Sequence, residues 1–459
     1  MTDYASLAGL ADAYRAGTTK PSAVTRAHLD RIERLNPTIN AYLAVYAEDA
    51  MQAAEGADKA LASGHRIGPF HGIPFCLKDI CDVEGRITTG GSKAMADRIS
   101  PRTGTVAQRL LAAGGILLGK TNTVECALGG WGTNQYMGTA RNPWDMDAHR
   151  VPGGSSSGTG AAVGAGMAVC GVGTDTGGSV RLPSAYNGLA GLKVTAGRLP
   201  TDGILPLSHT LDTPGPLARS VEDAALMYLA MDGAEGWSAD QDRASGQGLF
   251  AAMKAGVRGL RLGAMDERER AECQPDVLAA YDAALDILRG LGATIEVYSA
   301  PQGYGDLVEI SGRLIAAEGY FHQGHLYEQN ELPMDEDVRT RMLAGRGVSA
   351  VDYLAAQRER AEVTAAFEAA MQGFDAVLTP TSREAPPRLD EIDQAISPAH
   401  FTRHVNFTGM CGMSVPMGLN ELGLPLSLQV IAAANHELMA LRIAAAYEKA
   451  VPALERPVL

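Results

Sequence analysis

The chain has 459 residues, long enough for one large α/β domain or for two to three smaller ones. Its formal net charge of −14 argues against a polyanion-binding surface, because neutralising phosphates takes clustered Lys and Arg. With 46% hydrophobic and 20% charged residues, a disordered chain is excluded.

The first fifty residues read as helices: Pro21 suits a first helical position, and Val24, Ala27, Ile32 and Leu35 share a face. Ile73–Phe75 then reads as a strand, Val106–Ala113 as a helix and Ile116–Leu118 as a short strand. Further on come a strand at Gly259–Ala264, an amphipathic helix at Asp276–Arg289 and a strand at Thr294–Tyr298. Asp375–Leu378 and Leu426–Ile431 read as later strands, and a terminal helix starts near His436 with Asn435 as its cap. This alternation predicts a sheet covered by helices. The charged, helix-rich stretch 266–371 reads as an insertion or lid on one domain spanning 1–459, a separate domain being the alternative.

Cysteines 76, 81, 126, 170, 273 and 411 are scattered without CxxC pairs, which predicts a reduced protein with no structural zinc. The start, MTDYASLAGL, lacks the basic residues and apolar run of a signal peptide. Ala161–Gly173 is too short and too glycine-rich to span a bilayer. A cytoplasmic protein without membrane contact is the resulting expectation.

Glycine is the outlier, at 53 residues against an average usage of roughly 7%. It is densest over Gly153–Gly191, and Val151–Val180 carries a single charge, Asp175. Either backbones cross closely there, or amides converge on a ligand. Three local motifs compete. Gly114-x4-Gly119-Lys120-Thr121 has the letters of a P-loop, but its order reads helix, turn, strand, where a P-loop needs strand, loop, helix. Gly154-Ser-Ser-Ser-Gly158 has the letters of a nucleophile elbow, yet Pro152 is a poor end to the required strand. Gly158-x-Gly160-x-x-x-Gly164 lacks the strand of a dinucleotide-binding turn. His400 with His404, and His322 with His325, have helical spacing but no HExxH context, so no metal is expected.

Taken together, the segments form a longer pattern: His71-Gly-Ile-Pro-Phe-Cys-Leu-Lys78-Asp79, Gly119-Lys-Thr-Asn122 and Arg141-Asn-Pro-Trp144. Gly153-Gly-Ser-Ser-Ser-Gly158, Gly173-Thr-Asp-Thr-Gly-Gly-Ser179-Val-Arg181, Gly188-Leu-Ala-Gly-Leu-Lys193 and Leu211-Asp-Thr-Pro-Gly-Pro216 follow. Over at least 67–225 this strongly resembles the amidase signature family, with a weaker echo at Asn406-Phe-Thr-Gly409, Gly423-Leu-Pro425 and Gln429. The resemblance implies one α/β domain with a large, twisted, mixed sheet wrapped by helices. It also implies a serine–cis-serine–lysine triad, which falls on Ser179 as nucleophile, Ser155 as bridging serine and Lys78 as base. The chemistry agrees: a serine hydroxyl needs a neighbour to take its proton, and burial lowers a lysine's pKa until the free amine serves as base. The amides of Thr176, Gly177, Gly178 and Ser179 would form the oxyanion hole. Gly129, Gly130 and Trp131 match the family's substrate-side wall, although Trp131 reads equally well as a core aromatic. Asp175 and Arg181 read as braces of the loop rather than substrate contacts. Ser157, in place of the family's usual glycine, and Val194, in place of a proline, leave the triad untouched.

The implied activity is hydrolysis of the C–N bond of a small amide or carbamate, without metal or organic cofactor. The implied partners are a small-molecule substrate, no nucleic acid directly, and a homodimer. Two other readings stay open: the amidase subunit of a glutamine-dependent tRNA amidotransferase, which would share the triad, and a nucleotide-dependent enzyme using Gly114–Thr121.

Overall fold

Proline and glycine punctuate the N-terminal part. Ser6 caps the helix Leu7–Ala16 through the Gly9 amide, and Gly17 closes it in the left-handed conformation. Pro21 occupies the first turn of the next helix, Pro21–Ile39, where its missing N–H removes no hydrogen bond. The computed structural model describes residues 4–65, 68–233 and 248–459. Residues 1–3 of the N-terminal segment and Ile67, the first residue of the signature region, lie outside the described residues.

Among the described residues, eleven strands form one mixed sheet. In chain order they are β1 (Tyr42–Val45), β2 (Pro74–Lys78), β3 (Ile116–Thr121), β4 (Cys170–Asp175), β5 (Ala190–Lys193) and β6 (Thr213–Ala218). The remainder are β7 (Arg261–Met265), β8 (Thr294–Tyr298), β9 (Ala376–Pro380), β10 (Cys411–Leu419) and β11 (Pro425–Ala432). Their spatial order is β1-β3-β2-β4-β6-β5-β10-β11-β9-β7-β8. β2 runs parallel to β3 and β4, and β7 parallel to β8 and β9, while the other pairs are antiparallel. Helices pack on this sheet over an extended apolar core. The α/β fold with a large mixed sheet wrapped by helices is thus present. No helix among the described residues is long and apolar enough to cross a membrane.

The predicted strands at 73–75, 116–118, 259–264, 294–298, 375–378 and 426–431 all lie on or beside sheet strands, and most extend further than their apolar residues suggested. Gly114 sits in the turn between the helix Thr105–Ala112 and β3, the helix–turn–strand order read from the P-loop-like letters. Asn435 does not cap the terminal helix. It adopts a left-handed conformation with its amide on Thr195 Oγ1, and His436 takes the cap position of Glu437–Ala450. Within 266–371, β8 forms an edge of the common sheet, and the helices Asp306–Tyr327, Glu336–Leu343 and Ala350–Met371 follow it.

β4 and β6 occupy the middle of the sheet. β6 contains Pro214 and Pro216, paired with Thr174 and Val172 of β4. A proline cannot donate to a ladder, and β5 covers only Leu217 and Ala218 of β6, so the proline half has an unpaired edge. The helix Ser157–Gly164 lies buried against β2, β3, β4 and β6. Gly158 sets how close it comes: a Cβ there would meet the Ala41 carbonyl oxygen at 2.3 Å and the Asn122 nitrogen at 2.4 Å. Gly158→Ala is expected to destabilise by about 1–3 kcal/mol through overpacking. Gly56→Ala, on an exposed helix face with open space around it, is expected to gain about 0.5–1 kcal/mol. Thermal unfolding midpoints of the two variants should move in opposite directions, and a neutral Gly158→Ala would refute the close approach.

Candidate active site

β2 ends at Lys78, whose neighbours on both sides are paired strands, so its side chain is fully buried. Its Nζ lies 2.6 Å from Ser155 Oγ and 2.8 Å from Thr174 Oγ1. Burial lowers the amine's pKa to about 7, opposed only in part by Cys81, Asp212 and Asp175. At neutral pH the amine therefore exists as a substantial fraction of free base. Asp212 lies half-buried nearby, and loss of solvent raises its carboxyl to about 6, against hydrogen bonds from Thr176 Oγ1 and the amides of Ser208 and Leu207.

Ser155 follows a cis peptide bond from Gly154. The Gly154 amide donates to the Gly130 carbonyl, while the Ser155 carbonyl accepts from the Val124 amide and Thr123 Oγ1. Next along the chain, Ser156 Oγ donates to the Ser179 carbonyl at 2.6 Å, which ties the 179 segment to the 155 segment. The Ser179 hydroxyl makes no hydrogen bond among the described residues. Catalytic hydrogen bonds are commonly long until substrate tightens the site.

Asp175, at the end of β4, accepts from the amides of Gly178, Val180 and Arg181 and pairs with Arg181 Nη2 at 2.9 Å. Both partners are fully buried. Burial alone would raise the Asp175 carboxyl, but the Arg181 charge and hydrogen bonds override it and hold the pKa at about 2. Arg181 also donates to Gln429 Oε1 at 2.7 Å and Asn406 Oδ1 at 2.6 Å. Neither Asp175 nor Arg181 lines the cavity, so the pair braces the loop.

That loop opens on a cavity of about 220 Å³. Ser179, Thr176 and Gly177 line one side, and Gly129, Gly130 and Trp131 another. Trp131 is both wall and packed aromatic: it is 4% exposed, and its Nε1 donates to the Ile396 carbonyl at 2.8 Å. Val308, Ile315, Arg341 and Arg403 join the lining from distant parts of the chain. The Gly178 amide is not free to serve an oxyanion, because it donates to Asp175 Oδ1 at 2.6 Å. The amides of Thr176, Gly177 and Ser179 have no partner among the described residues.

Sequence reasoning missed Thr174 and Asp212, although both lie inside motifs it used. On β4, side chains alternate, and Thr174 at its end reaches Lys78. The paired histidines hold no metal-like cluster among the described residues. His400 Nε2 bonds Glu269 at 2.8 Å, and His404 stacks on Tyr304 with ring centroids 3.9 Å apart. Lys120 of the P-loop-like letters is buried against Asp79 and Thr88.

The family model described as Amidase matches residues 23–441. The chain belongs to the amidase family. It is 35% identical to a glutamyl-tRNA(Gln) amidotransferase subunit of Geobacter metallireducens, over 93% of each chain. It is likewise 35% identical to 2-amino-5-chloromuconic acid deaminase of Comamonas testosteroni, over 90% of this chain and 89% of the relative. Among solved structures, the peptide amidase of Stenotrophomonas maltophilia superposes with a TM-score of 0.85 at 28% identity, covering 99% and 98% of the two chains. A chain of a vestigial complex connected with the origins of an s-triazine catabolic enzyme gives a TM-score of 0.89 at 28% identity, covering 99% and 100%. As a member of the amidase family, the chain is an enzyme acting on carbon–nitrogen bonds, and a serine-hydrolase mechanism is consistent with that family.

The Asp175–Arg181 brace can be tested directly. Asp175→Asn leaves a buried guanidinium without its counter-charge and should cost about 3–5 kcal/mol. Urea unfolding measures it, and a loss below about 1 kcal/mol would show that Gln429 and Asn406 hold Arg181 unaided.

Proposed function

We propose that this amidase-family chain cleaves the C–N bond of a small amide or carbamate through an acyl-enzyme on Ser179. The observation that carries the reading is a fully buried lysine amine, with a substantial fraction as free base near neutral pH, 2.6 Å from the hydroxyl of Ser155. Ser179 Oγ attacks the carbonyl carbon, its proton passes to Ser155, and the proton of Ser155 passes to Lys78 Nζ. The carbonyl oxygen takes up negative charge among the amides of Thr176, Gly177 and Ser179, each such donor contributing about 3 kcal/mol to the transition state. As the C–N bond breaks, Lys78 returns a proton through Ser155 to the leaving nitrogen. Water then attacks the ester carbonyl by the same relay, releasing the acid and restoring the Ser179 hydroxyl. Thr174 Oγ1 holds the lysine amine toward Ser155. The cavity lies below the roughly 300–1,000 Å³ of sites for drug-sized ligands, which favours a short substrate.

A second reading has its own support, since relatives 35% identical over 93% of the chain are amidotransferase subunits. In it the same triad would release ammonia from glutamine for a partner. Glutamine hydrolysis that rises when a second subunit co-purifies from the native host would favour it. Hydrolysis of simple amides by the isolated chain favours the first reading.

Ser179→Ala should lower kcat by about 10⁴-fold or more while leaving the unfolding midpoint in place. Mass spectrometry of the enzyme quenched during turnover should find the acyl group on Ser179, and an adduct on another residue would overturn the assignment. For the pH dependence, Lys78 has a lowered pKa and acts as the neutral amine. Activity should therefore rise with pH through about 7 and then level off. A flat kcat/KM profile across that range would remove Lys78 as the base.

A further inference from the structure

Two guanidinium groups face the cavity, and none of its lining residues is acidic. Arg403, on the helix His400–Phe407, donates to the Val308 carbonyl at 3.2 Å and to Ser397 Oγ at 3.3 Å, and its Nε is buried without a partner. Arg341 donates through Nε to the Asp337 carbonyl at 2.9 Å, and its Nη2 is likewise buried without a partner. Neither arginine forms an ion pair among the described residues. The acids whose charge acts on Arg341 are already committed: Asp335 accepts from the amides of Gln135, Asp337 and Val338, and Asp337 from Gln135 Nε2.

Both cations stand against the loops of the reaction centre. A Cβ on Gly177 would lie 3.3 Å from Arg403 Nε, and one on Gly129 would lie 3.5 Å from Arg341 Nη2. Burial, and after it the charge of Arg341, lowers the Arg403 pKa to about 10, which still leaves it charged at neutral pH, and burial lowers Arg341 as well. Two like charges on one small, poorly solvated cavity repel, and unpaired buried donors are costly to keep. An anion between them relieves both costs, and a carboxylate matches the planar fork of a guanidinium.

We infer that the substrate is a small amide carrying a carboxylate, and that Arg341 and Arg403 bind that carboxylate while Ser179 attacks the amide. This rests on the proposed role of Ser179. An amino-acid amide such as glutamine fits less well, because its ammonium would meet two guanidiniums and no acid.

The test measures kcat/KM on the monoamides of succinic, glutaric and adipic acid, on neutral fatty amides of matched length, and on L-glutamine. The acidic monoamides should be preferred on the order of 10²-fold, chiefly through KM. The free dicarboxylates should inhibit competitively. Arg341→Gln and Arg403→Gln should collapse the acidic-to-neutral ratio, and Arg403→Lys should retain part of it. Equal or better turnover of neutral amides, or of glutamine, overturns the inference. So does an equal loss on both substrate types in the glutamine variants, which would make the arginines merely structural. The wild-type comparison stands even where a variant does not fold. Labelling by a fluorophosphonate separates the two layers. Labelled Ser179 without acid preference sinks this inference alone, whereas an unreactive Ser179 sinks the reading beneath it.

Discussion

Everything at this site depends on keeping one lysine amine out of water. An exposed amine is protonated at neutral pH and cannot take a proton. Within the sheet, at the end of β2, Lys78 has lost the solvation that stabilises its charge, and no carboxylate among the described residues forms an ion pair with it. Asp212 and Asp175 favour the charged form, yet each is restrained. Asp175 spends its charge on Arg181, and the Asp212 carboxylate is engaged by Thr176 Oγ1 and the amides of Leu207 and Ser208. The two carboxylates thus shape the loop without fixing Lys78 as a cation.

The loop is built by the same economy of polar groups. Asp175 collects the amides of Gly178, Val180 and Arg181, so the turn after β4 is folded around a carboxylate. This leaves the amides of Thr176, Gly177 and Ser179 for the cavity. Arg181 then carries the arrangement to β11 and the helix His400–Phe407 through Gln429 and Asn406. A serine at 179 is therefore fixed from behind by a buried ion pair and from the side by Ser156, while its hydroxyl stays unengaged.

How much of this could be read from the letters follows from how local each feature is. Lys78, Ser155 and Ser179 sit in dense motifs, and the contact between the first two was legible in them. The strands that position them were harder. β4 (CGVGTD) and β6 (TPGPLA) are interrupted by glycine and proline, so β-branched residues are too sparse and alternation too broken to mark them. The engagement of the Gly178 amide by Asp175 was invisible because it depends on the turn's path. The far wall was least legible: Val308, Ile315, Arg341 and Arg403 come from segments with no shared motif. Arg403 lies between His400 and His404, where the spacing drew attention to the wrong side chains. The histidines pack against Glu269 and Tyr304, and the arginine between them faces the cavity.

The two halves of the cavity therefore divide the work. On the proposed reading, the glycine-rich half supplies a reaction that any acyl–nitrogen bond can undergo, and the helical half supplies selection. A net charge of −14 sharpens the point for an anionic substrate, since the surface as a whole offers it no electrostatic steering. Beyond about 8 Å in physiological salt, exposed charges are screened in any case. Recognition of a carboxylate on such a protein has to be short-range, and cations set inside a small cavity with no competing acid meet that requirement. Those cations gain strength from the same loss of water that frees the amine of Lys78. One physical condition, exclusion of solvent from the cavity and its walls, would thus serve both the proposed chemistry and the proposed choice of substrate.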